Sequence, residues 1–527
     1  MVKEETPLKP VRMFFKKLAK LLFNRILYVI IAASLQVAWM IVLFVKLGHY
    51  SGYLEVGVKV ISITVCLIIL KGELNPSYKL LWFFLILAIP IFGLTMLVFV
   101  GETRLTSRVN IQYKKIISGE KAYLPEEADT RKKIEQLDPM ASRQSVYIRD
   151  LAEAPLWERT QARYFSMGDD MFPVLLHEIE QAEHFIFMEF FIINYGIMWN
   201  TILDLLEKKV QQGVDVRIIY DDFGCMTTLP VNYCQEIRKK GIKCEVFNPF
   251  RLIANIVHNN RDHRKFCIID GYVGFTGGIN LSDEYINRMS RFGTWKDSAV
   301  MLRGEAVSNM TAMFLQMWSI VTERKEKVGY GDYMPHVYHP EPFESEGFVQ
   351  PFGDSPLDGE AVGENVYLSI ISHAKNYVYI CTPYLIIDNE MMTMLCLAAK
   401  SGVDVRILTP GIPDKKLVFL LTRSYYIPLI RAGVKIYKYL PGFLHAKSFV
   451  SDDKVAVCGT INLDFRSLYL HFEDGVWIYG NHVVDEVKQD FLRTLSASAQ
   501  VTLEECLSRS LIIRMLQTSL RLLAPLL

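Results

Sequence analysis

Two stretches of the chain carry the same spaced set of reactive residues. His263–Asn280 reads HRKFCIIDGYVGFTGGIN, and His445–Asn462 reads HAKSFVSDDKVAVCGTIN. One His-x-Lys pair is unremarkable in 527 residues; a second copy with matched downstream Asp, Gly and Asn is not. In a strand, residues two apart share a face, so His263 and Lys265 project together, as do His445 and Lys447. Brought to one place, the two sets supply paired His, Lys and Asn. Lys265 and Lys447 provide positive charge, and Asn280 and Asn462 provide neutral donors. Both suit non-bridging phosphate oxygens as charge builds on them. One neutral histidine can attack phosphorus while the other, protonated, donates to the leaving alkoxide. The chemistry implied is phosphoryl transfer in one shared site.

The neighbouring residues fill supporting roles. Gly277, Gly278 and Gly459 allow backbone to approach a ligand closely. Asp270 and Asp452 fall at strand–turn boundaries, where a carboxylate ties down backbone or a neighbouring cation. Asp297 and Glu473 occupy comparable downstream positions and are candidates for bonding the far nitrogen of each imidazole, which fixes its tautomer. No metal or other cofactor is expected, because Lys and Asn stabilise the charge and no carboxylate cluster suits magnesium. The other nine histidines, His258 and His471 among them, read as structural.

Positioning these residues requires sheets. From Phe165 onward, short apolar runs (His184–Ile193, Val214–Tyr220, Lys243–Phe247) alternate with helical segments, the pattern of a sheet covered by helices. The pattern then repeats about 190 residues later. GVDVRIIYDD at Gly213 returns as GVDVRILTPG at Gly402, AEHFIFME at Ala182 as AKNYVYIC at Ala374, and GIKCEVF at Gly241 as GVKIYKY at Gly433. The expected fold class is α/β: two homologous α/β/α halves, residues 161–325 and 356–500, forming one active site. A polar linker is expected over 101–160, a second over 326–355, and an amphipathic basic helix over 501–527.

The N-terminal hundred residues differ in character. A basic flank (Lys3 to Arg25) precedes the apolar runs Ile26–Val45, Leu54–Leu70 and Leu80–Val100. The first and third are long enough to cross a hydrocarbon core of about 30 Å, the third bent at Pro90 and Gly93, while the second is interrupted by Glu55 and Lys59, so two or three spans are expected. They predict N-terminal transmembrane helices and a multi-pass cell-membrane protein. The basic flank puts the N-terminus in the cytoplasm. Arg104, Arg108, Lys114 and Lys115, with nine singly spaced Cys, favour the cytoplasm for the catalytic part as well. A hydrophobic content of 51% and a mean hydropathy of +0.18 agree with an apolar chain. A net charge of +1 argues against nucleic acid as a partner. The C-terminal LIIRMLQTSLRLLAPLL fits a helix lying on anionic lipid.

The duplicated motif resembles that of the phospholipase D superfamily. Asn75–Gly93, NNRDHRK, TGGINLSDEY, the WKD at Trp295, GTINLDFRSL and the LRLLAPLL ending are similar to bacterial cardiolipin synthases along nearly the whole chain. Two positions depart from that pattern: Asp262 stands where Asn is more usual, and Glu305 where Pro is common. The resemblance places His263, Lys265, Asp270, His445, Lys447 and Asp452 in the catalytic motifs. It implies phosphatidylglycerol as substrate and a phosphatidyl-histidine intermediate, with cardiolipin and glycerol as products. The same motifs would also serve a phospholipase D, or a phosphatidyltransferase using another alcohol. A non-catalytic scaffold would be expected to lose a motif residue in one half, and both sets are intact.

Overall fold

The computed structural model describes residues 52–72, 75–100, 126–249, 260–322 and 329–526, with a few isolated positions besides. It divides into two compact units, residues 1–101 and 102–527.

The larger unit contains two sheets built from the repeated sequence. The first half supplies β1 (Thr160–Phe165), β2 (Phe185–Phe190), β3 (Asp215–Asp221), β4 (Lys243–Phe247), β5 (Arg261–Asp262), β6 (Lys265–Ile269), β7 (Val273–Gly277), β8 (Thr294–Lys296) and β9 (Ala299–Gly304). The second supplies β10 (Phe348–Asp354), β11 (Tyr377–Cys381), β12 (Leu385–Ile386), β13 (Asp404–Pro410), β14 (Lys435–Tyr439), β15 (Gly442–Leu444), β16 (Ser448–Ser451), β17 (Val455–Gly459), β18 (Leu463–Asp464), β19 (His471–Tyr479) and β20 (Ser498–Gln500). The first sheet runs β1-β9-β7-β6-β2-β3-β4, and the second runs β10-β19-β17-β16-β11-β13-β14-β20. Seven strands therefore correspond one to one. In each sheet three strands are parallel (β2, β3, β4; β11, β13, β14) and the rest of the shared order is antiparallel. The central runs FIFMEF and YVYIC are buried throughout, as covering on both faces demands.

The two halves share one core. Helix Val307–Val321, which ends the first half, is buried along most of its length. It packs among Phe187, Ile219 and Phe266 of the first sheet and Leu408, Val450 and Ile478 of the second. Its Phe314 ring stacks on Phe187 with centroids 4.6 Å apart. Its counterpart, helix His482–Ser496, stacks Phe491 on Tyr379 at 4.7 Å.

The linker boundaries shift accordingly. Helix Pro139–Ala152 belongs to the body, because Gln144 Oε1 accepts from the Trp477 indole at 3.2 Å and the Ser145 carbonyl accepts from Gln350 at 3.0 Å. The second half begins before residue 356, since Phe348–Asp354 pairs along its length with β19.

The smaller unit corrects the membrane reading. Among the described residues no helix is long and apolar enough to cross a membrane, so neither transmembrane helices nor a multi-pass localisation is supported. Most of Ile26–Val45 lies outside the described residues. Leu54–Leu70 lies within helix Gly52–Lys71, which includes the charged Glu55 and Lys59. Leu80–Val100 is not one helix. It is broken at Ile89, before Pro90, into Pro76–Ala88 of 13 residues and Pro90–Val100 of 11 residues. A proline lacks the N–H that would continue the ladder. At about 1.5 Å per residue each piece falls well short of about 30 Å.

Candidate active site

Both histidine motifs lie at the same edge of their sheets. Lys265 opens β6 opposite Phe190, the last residue of β2, and Ser448 opens β16 opposite Cys381, the last of β11. The histidines therefore stand just beyond the C-terminal ends of the parallel strands.

The halves then cross. β5 pairs in parallel with the start of β19 in the other half, His471 beside Arg261 and Phe472 beside Asp262. The His263 backbone N–H donates to the Phe472 carbonyl at 2.9 Å. Reciprocally, β15 pairs with β8, and the His445 N–H donates to the Lys296 carbonyl at 2.7 Å. In each case the next residue on the receiving strand is a carboxylate. His263 Nδ1 donates to Glu473 Oε2 at 2.8 Å, and His445 Nδ1 donates to Asp297 Oδ2 at 2.6 Å. An ionised carboxylate only accepts, so both rings carry the proton on Nδ1 and keep Nε2 for chemistry.

The site is buried and strongly charged. His263 and His445 are each 7% exposed, Lys265 2% and Lys447 1%. Lys265 Nζ donates to the His263 carbonyl at 2.6 Å, and Lys447 Nζ to the His445 carbonyl; each ammonium has three N–H donors, so others remain for phosphate oxygens. Burial, helped by the Lys265 charge, lowers the His263 pKa to about 3; burial and the Lys447 charge lower His445 to about 4. Burial lowers Lys265 to about 8 and Lys447 to about 7. Burial by itself would raise both carboxylates, but the charges of His445 and Lys447 hold Asp297 near 2, and contacts with His263 and His471 hold Glu473 well below the usual range. Both histidines are thus neutral at neutral pH, whereas the sequence suggested one of each form. A phosphodiester bound against Nε2 would add negative charge and raise the proton affinity of both rings. Aromatic side chains wall the site: Phe191 lies edge-on to His263 at 5.0 Å, with Tyr285 and Trp295 against His445 at 5.6 and 5.4 Å.

The remaining sequence candidates take different places. Asp270 and Asp452 are not part of the reacting centre. Asp270 lies just past the end of β6, about 16 Å along the strand from Lys265 at the usual rise. Its oxygens accept from the backbone N–H groups of Glu183, His184 and Phe185, each at 2.8 Å. Asp452 does the same for Lys375, Asn376 and Tyr377 at 2.6–2.9 Å. Each carboxylate clamps the start of a central strand, a structural role beside the catalytic one that the motif implied. Asn280 accepts from the Ile192 N–H at 3.0 Å and donates to Tyr285 at 2.7 Å, while the Asn462 amide oxygen has no hydrogen-bond partner. A Cβ on Gly278 would sit 2.0 Å from Asp297 Oδ1, and one on Gly459 would sit 2.3 Å from the Asp474 carbonyl. These glycines make room for the carboxylate-bearing strands. Asp262 bonds Arg264 at 3.2 Å, and Glu305 accepts from Arg159 at 2.8 Å and His336 at 3.0 Å.

His471 was read as structural, yet its ring centroid lies 5.5 Å from that of His263. The available signal was its position two residues before Glu473, on the same strand face. His258 lies outside the described residues. Among the described residues, His263, His471 and Glu473 are the one set of three side chains whose potential metal-ligating atoms lie within 4.8 Å of one another.

Known proteins are similar to this chain in sequence and fold. The family described as "Cardiolipin synthase, PLD-like domain" matches residues 175–318 and 367–495. The chain belongs to this family. A cardiolipin synthase of a Geobacillus species is 32% identical over 486 residues, covering 91% of this chain and 95% of the relative. An uncharacterized protein of Streptococcus mutans is 41% identical over 461 residues, covering 88% of this chain and 99% of its own. The crystal structure of phosphatidylserine synthase from Haemophilus influenzae aligns with a TM-score of 0.54 at 12% identity, covering 73% of this chain and 100% of the other, a likeness of fold.

The lowered lysines set a pH limit. As pH rises through about 7 to 8, Lys447 and then Lys265 lose the charge that receives phosphate, so kcat/KM should fall over that range. Lys447→Arg keeps its charge there and should move the decline upward by about one pH unit or more. A pH profile of kcat/KM that stays flat to pH ~9.5 in the unaltered chain would contradict this electrostatic reading.

Proposed function

We propose that the chain is a phosphatidyltransferase that makes cardiolipin by transesterification between two molecules of phosphatidylglycerol. The observation that carries this reading is the pair of buried histidines. Each is held by Nδ1 on a carboxylate from the opposite half, which leaves Nε2 for the substrate, and a buried ammonium bonds the backbone carbonyl of each. His263 Nε2 attacks phosphorus, and the P–O bond to the headgroup glycerol breaks as His445 protonates that oxygen. His445 takes up that proton on Nε2 when the anionic phosphodiester binds and raises its proton affinity. In the second step a hydroxyl of another phosphatidylglycerol gives its proton to His445 and attacks phosphorus. The P–N bond breaks, and cardiolipin is released after glycerol. Lys265 and Lys447 stabilise the equatorial oxygens in both steps. Burial and the aromatic walls support transfer over hydrolysis by limiting water near the phosphoryl-histidine.

Lipid substrates also give a role to the surface at this edge of the sheets. Large apolar side chains are exposed on the loops that leave the parallel strands: Tyr195, Phe223, Ile412 and Leu440. Helix Lys416–Thr422 follows β13 there, and helix Leu511–Leu520 packs on it, with Gln517 donating to the Leu420 carbonyl at 3.3 Å. The outer face of the second helix exposes Leu511, Ile512, Met515 and Leu516. Residues 509–527 include Arg509, Arg514 and Arg521 and no acidic residue. A basic apolar face beside the site suits an anionic lipid surface, which it contacts without crossing.

The route is tested with labelled phosphatidylglycerol in the presence and absence of cytidine diphosphate diacylglycerol. Labelled cardiolipin and glycerol should form without the nucleotide lipid. Free phosphatidic acid without cardiolipin, or dependence on the nucleotide lipid, would overturn the assignment. For the surface, the double variant I512E/M515E should lower turnover at least tenfold on phosphatidylglycerol vesicles, with activity kept on a short-chain substrate dissolved as monomers. Equal effects on both substrates would exclude a lipid-contact role for that helix.

A further inference from the structure

The reactive face of the first motif extends beyond its histidine. Arg261 in β5 pairs with His471 at the start of β19, and the His471 ring lies 5.5 Å from that of His263. Residues paired across strands project to the same side, so Arg261 faces the site, in line with His263 and Lys265. Lys265 stands at the sheet edge opposite the last residue of β2, so each step back along the chain leads outward. At the usual strand rise Arg261 lies about 7 Å beyond His263. Its guanidinium carbon is 4.8 Å from the centroid of the Phe223 ring, one of the exposed apolar side chains at that edge. A second arginine comes from the other half. Arg466 stands four residues after Asn462, on the short helix Phe465–Tyr469 that leads into β19. Both arginines are half-buried. Burial lowers the Arg261 pKa and the charge of Arg466 lowers it further, against the opposite effect of Asp221 and Asp222. Asp221 also accepts from the Gly224 N–H at 2.9 Å and the Asp262 N–H at 3.2 Å. Two guanidiniums from opposite halves are thus brought near one another at the mouth of the site, where an anion between them would relieve their repulsion.

Transfer between two lipids makes a demand that hydrolysis does not. The acceptor carries its own phosphodiester, one glycerol away from the attacking hydroxyl. When that hydroxyl attacks, a second anion must sit close to the phosphoryl group on His263, and like charges repel strongly where water is excluded. Lys265 and Lys447 serve the first phosphate. We propose that Arg261, together with Arg466 from the opposite half, binds the phosphodiester of the acceptor lipid. The fork of N–H donors on a guanidinium matches phosphate oxygens. An acceptor held there has its acyl chains toward the exposed apolar edge and its terminal hydroxyl directed inward, toward His263. No bond forms or breaks at the arginines. This inference rests on the proposed transfer between two molecules of phosphatidylglycerol and names the subsite for the second.

The test supplies the full chain with phosphatidylglycerol vesicles and labelled free glycerol, and follows two products at once. Exchange of labelled glycerol into phosphatidylglycerol passes through the same intermediate but uses an acceptor without a phosphate. Cardiolipin formation uses an acceptor that carries one. In R261Q and in R466Q the ratio of cardiolipin formed to glycerol exchanged should fall by about tenfold or more, the loss of a hydrogen bond to a charged group. R261K, which keeps the charge but not the fork, should recover part of the ratio. The two variants lie on different elements, so one serves should the other fold poorly. A ratio that stays at the unaltered value in a folded variant, whether both reactions fall together or neither does, would overturn the subsite. An unaltered chain that exchanges glycerol yet forms no cardiolipin would overturn the proposed reaction and the subsite with it, a result distinct from an unchanged ratio.

Discussion

Everything in the site depends on one reciprocal constraint: each histidine is hydrogen-bonded to a strand of the opposite half. The Phe472 carbonyl receives the His263 N–H, and the Lys296 carbonyl receives the His445 N–H. The next residue on each receiving strand is the carboxylate that holds the same ring. A strand alternates its faces with a fixed rise, so anchoring one backbone group also fixes where the neighbouring side chain can reach. Separating the halves would remove both the backbone anchor and the carboxylate. The shared core around helix Val307–Val321 is what keeps this crossing in register.

The crossing also balances the charge. Burying an unpaired ammonium or carboxylate is very costly, and a half-satisfied set is worse than an apolar one. Here two ammoniums and two carboxylates are enclosed together, each half contributing one of each sign. Neutral imidazoles between them add no net charge. Such a site is organised for an anionic phosphodiester, with its positive charge and donors placed before the substrate arrives. Burial lowers the lysines as well, so the same feature that strengthens electrostatics inside the site restricts the pH range over which it operates.

Much of this was legible in the sequence because duplication leaves a record. Matched strand segments and matched motifs imply two sheets of one topology, and two incomplete sets of reactive groups imply a seam. Asp297 and Glu473 could be singled out because each is a carboxylate downstream of one motif, although nothing local says that each serves the other half's histidine. The role of Asp270 and Asp452 was ambiguous, since a carboxylate at a strand end can clamp backbone or take part in chemistry, and only the position of Glu183–Phe185 and Lys375–Tyr377 decides. His471 was missed because a lone histidine has no recognisable partner until the crossing of β5 with β19 sets it beside His263. Length and hydropathy suggested a span over Leu80–Val100, but a single proline divides it into two short helices.

The most direct test of the reciprocal arrangement is to trap the covalent intermediate in variants of the two carboxylates. Labelled phosphatidylglycerol is mixed rapidly with the enzyme, quenched, and the labelled residue located by peptide mapping. The account predicts a phosphatidyl adduct on His263 in the first half. Glu473→Gln, in the second half, should slow its formation. Asp297→Asn, which disturbs His445, should slow its resolution so that the adduct accumulates. If Glu473→Gln left the rate of adduct formation unchanged, or if the adduct formed on neither histidine, the central claim would be contradicted.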